Sequence, residues 1–260
     1  MTRRQSARLR RWALYLATVV LVGLVATRID FPHLRAAMFD SDIAGEQFPD
    51  IVKQAARNTV IFTLFGFSGG LTLGLVLALM RLSVLRPYRW FATVWIEVFR
   101  GLPALLTILF IGFGMPIALD VRIPFTYGPG SVALAIVASA YMAETIRAGI
   151  EAVPKGQMEA ARSLGMSQRR AMVSIVIPQA FRIIIPPLTN ELVLLLKDTA
   201  LLAALGTTAA TEELTKFARD GVSSSANSTP LVVAGALYLV LTIPLTQAAA
   251  YLERRGRRAR

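Results

Sequence analysis

Glu159-Ala160-Ala161-Arg162-Ser163-Leu164-Gly165, followed after nine residues by Ile175-Val176-Ile177-Pro178, is the stretch on which the fold turns. It reads as a short helix. Two alanines leave a low profile for insertion into a groove, Glu159 offers a charge to a basic rim, and Gly165 supplies the stop. The connection that holds it, residues 151–187, is not a polar linker. An Ala-rich helix-forming stretch at 157–165 gives way to an apolar and basic one at 169–185. A structured connection of this size is expected to receive a partner.

On both sides of this connection the chain turns apolar. Of 260 residues 55% are hydrophobic and the mean hydropathy is +0.55, yet the net charge is +12. A helix crossing the hydrocarbon needs about 20 mostly apolar residues. Six candidates meet that need: 12–27, 59–80, 90–116, 132–150, 188–205 and 231–251. The first is short and follows five arginines, so a cleaved signal peptide before five spans stands as the alternative to a retained helix. Eighteen of the 28 Lys and Arg fall in the segments on the N-terminal side of the membrane, seven on the other, and Arg100, Arg147 and Lys197 within spans. This asymmetry places both termini in the cytoplasm.

The loop 28–57 is then external and acidic in its middle (Asp40, Asp42, Glu46, Asp50), with a surface helix expected around 51–57. Two short external segments follow, 117–130 and 206–230, the second rich in Ser, Thr and Asn. No repeat and no low-complexity tract interrupts the pattern.

The absence of cysteine excludes disulfides, zinc ribbons, iron–sulfur clusters and thiol catalysis. A single histidine, His33, leaves no metal set or catalytic triad. No P-loop, G-x-S-x-G or H-E-x-x-H motif occurs, so no catalytic residue is assigned. The arginines of the tails lack interleaved aromatics and stand beside spans. They read as anchors to anionic membrane lipid, and nucleic-acid binding is excluded.

Within the spans, small residues recur every fourth position at Gly66, Gly70, Gly74 and Ala78, a stripe suited to close helix packing. Ionisable residues at depth are costly and normally face a bundle interior or a water path. The pairs Glu97/Arg100 and Glu144/Arg147 are three apart and each can neutralise itself. Glu191 has no charged residue three or four positions away, which makes it a candidate to meet a cationic group in transit. Lys197 and Asp198 are adjacent and expected near the outer end. Arg100-Gly101-Leu102-Pro103 and Pro186-Pro187 are expected to interrupt their helices, as at transporter substrate sites.

The stretch at 159–178 resembles the EAA loop, E-A-A-x3-G-x9-I-x-L-P, of permease subunits of binding-protein-dependent ABC importers, with Ile177 where Leu is usual. Residues 140–147 (AYMAETIR), 153–157 (VPKGQ), 178–182 (PQAFR), 186–190 (PPLTN) and 196–201 (LKDTAL) are similar to the polar amino acid branch, the histidine/glutamine type. Arg100-Gly101-Leu102-Pro103 is similar to that branch's R-G-T-P, with Leu102 in place of Thr, and Thr107 stands where Gln is common.

The resemblance spans roughly 58–253. It implies an all-α integral membrane protein, a five-span permease core at 58–253 with its cytoplasmic coupling loop at 151–187. Residues 1–57 add the first helix and acidic loop, and 254–260 form a basic cytoplasmic tail. It further implies a non-catalytic subunit of the cell membrane, paired with an identical or homologous permease. Two ABC ATPase subunits would bind the ATP and Mg, this chain holding no cofactor, and an extracytoplasmic solute-binding protein would deliver a polar amino acid. Glu159, Ala160, Ala161, Gly165 and Pro178 would couple to the ATPase. Arg100, Gly101, Pro103, Thr107, Asn190, Glu191, Lys197 and Asp198 would border the substrate pathway. Two alternatives stay open: a permease for another small polar solute such as an opine, and an ion-driven transporter using Glu97, Glu144, Glu191 and Asp198.

Overall fold

The centre of the molecule is a seam between two helices, α4 (Arg57–Arg81) and α8 (Gly128–Glu151), that pack backbone against backbone. In the computed structural model, which describes residues 3–120, 125–206 and 208–258 (backbone only for 3–9 and 256–258), Gly66, Gly69, Gly70 and Gly74 face α8. A Cβ at Gly70 would lie 2.8 Å from that of Ala138, and one at Gly74 3.0 Å from that of Met142. The expected small-residue stripe is therefore the contact surface of this pair, with Gly69 added to it. Phe62, Leu134, Val137, Met142 and Leu195 fill the core beside it.

Before α4 the chain runs through α1 (Arg3–Arg28), α2 (Phe31–Met38) and α3 (Ser41–Glu46). The apolar stretch Arg10–Arg28 is wholly unburied. Asp30 and Asp40 start α2 and α3 by accepting backbone N–H groups through their carboxylates. The surface helix expected around 51–57 is a different object. Ile51–Ala56 is a π-helical turn continuous with α4, and the segment Ile51–Arg81 forms one long apolar helix. Ile51 and Ala55 are fully buried against Leu214, Ala218 and Ala234, which draws this turn into the bundle.

After α4 come α5 (Arg86–Gly101), α6 (Ala104–Leu109) and α7 (Met115–Leu119), the last two joined by a π-helical turn at Phe110–Gly114. The pair Arg86–Gly101 and Ala104–Leu119 bends by 111° at Leu102-Pro103. The expected interruption thus exists here, set by a proline whose preceding residue is driven into extended backbone. Among the described residues five helices are long and apolar enough to cross a membrane, and the bent pair makes a sixth if it counts as one span.

Beyond α8 lie α9 (Lys155–Ser163), α10 (Gln168–Ala171) and α11 (Ile177–Asp198), with a π-helical turn at Met172–Val176 between the last two. The break expected at Pro186-Pro187 does not occur: α11 runs through both prolines. Each proline removes its own backbone bond and crowds the preceding turn, and packing against neighbouring helices offsets that cost. Ile184 fills the space a side chain at Gly149 of α8 would need, and Thr189 Oγ1 donates to the Ile185 carbonyl at 2.9 Å.

The segment expected as a polar connection at 206–230 contains an amphipathic helix, α12 (Leu214–Ser225), before the long α13 (Thr229–Arg258). Arg122 and the last two residues of the basic tail, Ala259 and Arg260, lie outside the described residues.

Candidate functional site

Glu159, Ala160 and Ala161 belong to α9, at the end of the bundle where α8 finishes. Glu159 and Ala160 are exposed, whereas Ala161 is buried, so only one of the two alanines is open to the outside. The helix closes in a Schellman motif. The amide of Met166 donates to Ala161 O at 3.1 Å, that of Gly165 to Arg162 O at 3.0 Å, and Gly165 adopts φ +84°. Pro178 stands exposed in the first turn of α11. Gln179 beside it donates to Ile175 O at 3.0 Å and to Gln157 Oε1 of α9 at 3.4 Å. Val153, Val176, Ala180 and Ile184 form the cluster on which this unit rests. At its tip Leu164 is 86% exposed, an apolar side chain with no cover in this chain. Its place within the quoted motif was the signal, and composition alone hides it.

The residues expected along the pathway divide into three groups. Gly101 and Pro103 make the bend after α5, and both are exposed. Thr107 is buried and its hydroxyl returns to Pro103 O at 3.4 Å, so it braces the bend. Asn190, Glu191, Lys197 and Asp198 share α11. Glu191 and Asp198, seven residues apart, are half-buried two turns from one another, and Asn190 and Lys197 repeat that interval on the exposed flank. Arg100, next to Gly101 at the end of α5, and Asp198 are the charges that act on Glu191.

The two expected ion pairs have different outcomes. Glu144 and Arg147 do pair, with Arg147 Nε 3.0 Å from Glu144 Oε2, and Arg147 also bridges to Glu151 one turn on. No ion pair joins Glu97 to Arg100 among the described residues. Both are exposed, and the Arg100 guanidinium instead lies 5.8 Å from the centre of the Tyr141 ring. Arg100 is thus set against an aromatic face rather than against Glu97.

A second polar cluster lies at the opposite end from α9. Glu213 is fully buried and caps α12, accepting the amides of Thr215 and Lys216, both at 2.7 Å, and the Tyr238 hydroxyl of α13 at 2.9 Å. Burial pushes its carboxyl above the ordinary range, against those two amides and the tyrosine. Asn58 of α4 donates to the carbonyls of Ala210 (3.1 Å) and Glu212 (2.9 Å) and accepts from the Tyr127 hydroxyl at 2.8 Å. This joint ties α4, α8, α12 and α13 together at one end. The pair Glu212-Glu213 ahead of an amphipathic run was its one trace in the sequence.

A family model described as "Binding-protein-dependent transport system inner membrane component" matches residues 70–258. A probable glutamine ABC transporter permease of Bacillus subtilis (strain 168) is 41% identical over 76% of this chain and 89% of its own length. An arginine transport system permease of Corynebacterium glutamicum is 33% identical over 95% of this chain and 81% of its own. Among solved structures, the crystal structure of an amino acid ABC transporter with histidines superposes with a TM-score of 0.75. It is 36% identical and is covered over 99% of its chain by 84% of this one.

Proposed function

Because the chain belongs to the family of binding-protein-dependent transport system inner membrane components, we propose that it is the permease through which an ATP-driven importer moves polar amino acids. The observation that carries this reading is α9. A short, sharply capped helix between α8 and α11 presents Glu159, Ala160 and Leu164 outward from the end of the bundle. A separate ATPase, binding ATP and Mg, would grip that face, and a second permease, identical or homologous, would complete the path. A solute-binding protein would deliver the amino acid on the far side, both termini of this chain facing the cytoplasm.

The lever follows from the packing. Gln157 and Gln179 bond α9 to the start of α11, and Ile184 of α11 sits against Gly149 of α8. A push on α9 therefore reaches both helices together. At the bend of the third span, the positive charge of Arg100 acts on the half-buried Glu191. The zwitterionic backbone common to amino acids suits that pair of opposite charges. The relatives' names, glutamine and arginine permeases, support an amino acid substrate. Leu102 departs from the branch pattern at this point and leaves room for a related small polar solute.

The test is uptake of labelled amino acids by proteoliposomes holding this chain with a cognate ATPase and binding protein from the same organism. Uptake that requires ATP and the binding protein is the expected result. Uptake driven by an ion gradient without the ATPase overturns the proposal in favour of an ion-coupled transporter.

A further inference from the structure

The segment ahead of the permease core is fastened to the end of it. Asn227 Nδ2 donates to Ala36 O at 2.8 Å, the Ser228 amide to Ala37 O at 2.8 Å, and the Asp40 amide to Thr229 Oγ1 at 3.0 Å. Below this clasp, α2 and α3 stand away from α13 and leave an open cleft of about 380 Å³. Its walls are almost wholly apolar: Met38, Phe39 and Phe48 on one side, Val233, Ala236 and Val240 on the other. Polar groups gather only at the clasp, where Asp40, Ser41 and Thr229 line the rim.

Two features say what fills it. First, the cleft runs out onto the exposed apolar face of a candidate span: Val240 at its far end is 64% exposed, and Leu239 beside it faces outward too. The wall from Val232 to Val240 lies within the candidate span Thr229–Arg255 and extends about 12 Å at the rise of a helix. Second, the volume selects the shape of the occupant. A helix about 10 Å across and of that length takes on the order of 900 Å³, so it would lie over the cleft rather than within it. A single extended hydrocarbon chain fits, and it would cover Phe39 and Phe48, which are 60% and 50% exposed.

We propose that this cleft holds one acyl chain of a phospholipid, taken from the leaflet on the side of α2 and α3, with its head group at the rim formed by Asp40, Ser41 and Thr229. The lipid then serves as part of the cap, joining the extension to the last span where the protein itself leaves a gap.

The test uses the full-length chain with its partner subunits in vesicles of phosphatidylethanolamine and phosphatidylglycerol, doped with phosphatidylethanolamine carrying a diazirine midway along one acyl chain. Illumination and peptide mapping should find label on Met38, Phe48, Val233 and Ala236 at least several-fold above Leu239, an exposed residue of the same helix. Ala236→Trp should abolish the excess and leave Leu239 labelling unchanged. Should that variant fail to fold, Ala44→Trp fills the cleft from the other wall, and the ratio in the unaltered chain is a test by itself. Equal labelling at cleft and control positions overturns the proposal. So does disulfide cross-linking of two copies through Ala44→Cys, unambiguous in a chain without cysteine, because it places protein in the cleft.

Discussion

Gly165 offers the sharpest test of the coupling helix, because the structure separates backbone strain from crowding there. Its φ of +84° lies in the left-handed region, yet a Cβ would meet no atom within 4 Å. Gly156, near the start of α9, has the same open space and no positive φ. Placing an L-residue in the left-handed region costs about 1–2 kcal/mol, which lowers the ratio of capped to frayed helix ends about 5- to 30-fold. Asn tolerates that region better than Ala, and Val worse. Uptake by the reconstituted transporter, normalised to permease in the membrane, should therefore fall in the order Gly, Asn, Ala, Val at position 165. Gly156→Ala should leave it near the starting value. Full uptake by Gly165→Val, or an equal loss in Gly156→Ala, would refute the claim that the cap shapes the surface a partner grips.

Other expectations follow from the packing and the charges. Gly70→Leu should cost about 1–3 kcal/mol or more by forcing α4 from α8, read as a lower midpoint of thermal aggregation in detergent, whereas Gly45→Ala, in open space, should leave it unmoved. Glu213, raised by burial, contributes stability that is present below the ordinary carboxylate range and is lost as pH rises through its folded value. The chain should therefore lose midpoint temperature as pH rises from the ordinary carboxylate range to neutral, and Glu213→Gln should flatten that slope. An unchanged slope would remove Glu213 as its source. Glu191→Gln should alter the substrate concentration for half-maximal uptake without changing membrane abundance; identical kinetics for every amino acid tested would take Glu191 out of the pathway. Tyr127→Phe should cost roughly 1 kcal/mol by leaving the buried Asn58 Oδ1 without its donor, measured by the same thermal assay.

The sequence disclosed what depends on local pattern. Apolar runs marked the long helices, the four-residue spacing of glycines marked the face α4 turns to α8, and Gly165 marked the end of α9. It failed where tertiary packing overrides a local rule. Pro186-Pro187 read as a stop because a proline forfeits its own amide bond, and the reading had no view of Gly149, the notch that steadies α11 beside them. The stretch 51–57 read as a surface helix because its charges are visible in one dimension and the burial of Ile51 and Ala55 is not. Glu97 and Arg100 have the spacing of an ion pair, but an aromatic ring on α8 competes for the arginine. The cluster around Glu213 was hidden for a related reason, since its members are drawn from four helices and one of its hydrogen bonds joins residues 155 positions apart.

The clasp between residues 36–40 and 227–229 also bears on how the chain is made. Its hydrogen bonds join positions as far as 191 residues apart. While the chain emerges from the ribosome, the carbonyls of Ala36 and Ala37 find no donor in this turn until residues 227–229 have been synthesised. A nascent chain stopped short of the last helix leaves α2 and α3 undocked and open to proteases. Closure of the clasp accordingly waits until the head of α13 has left the ribosome.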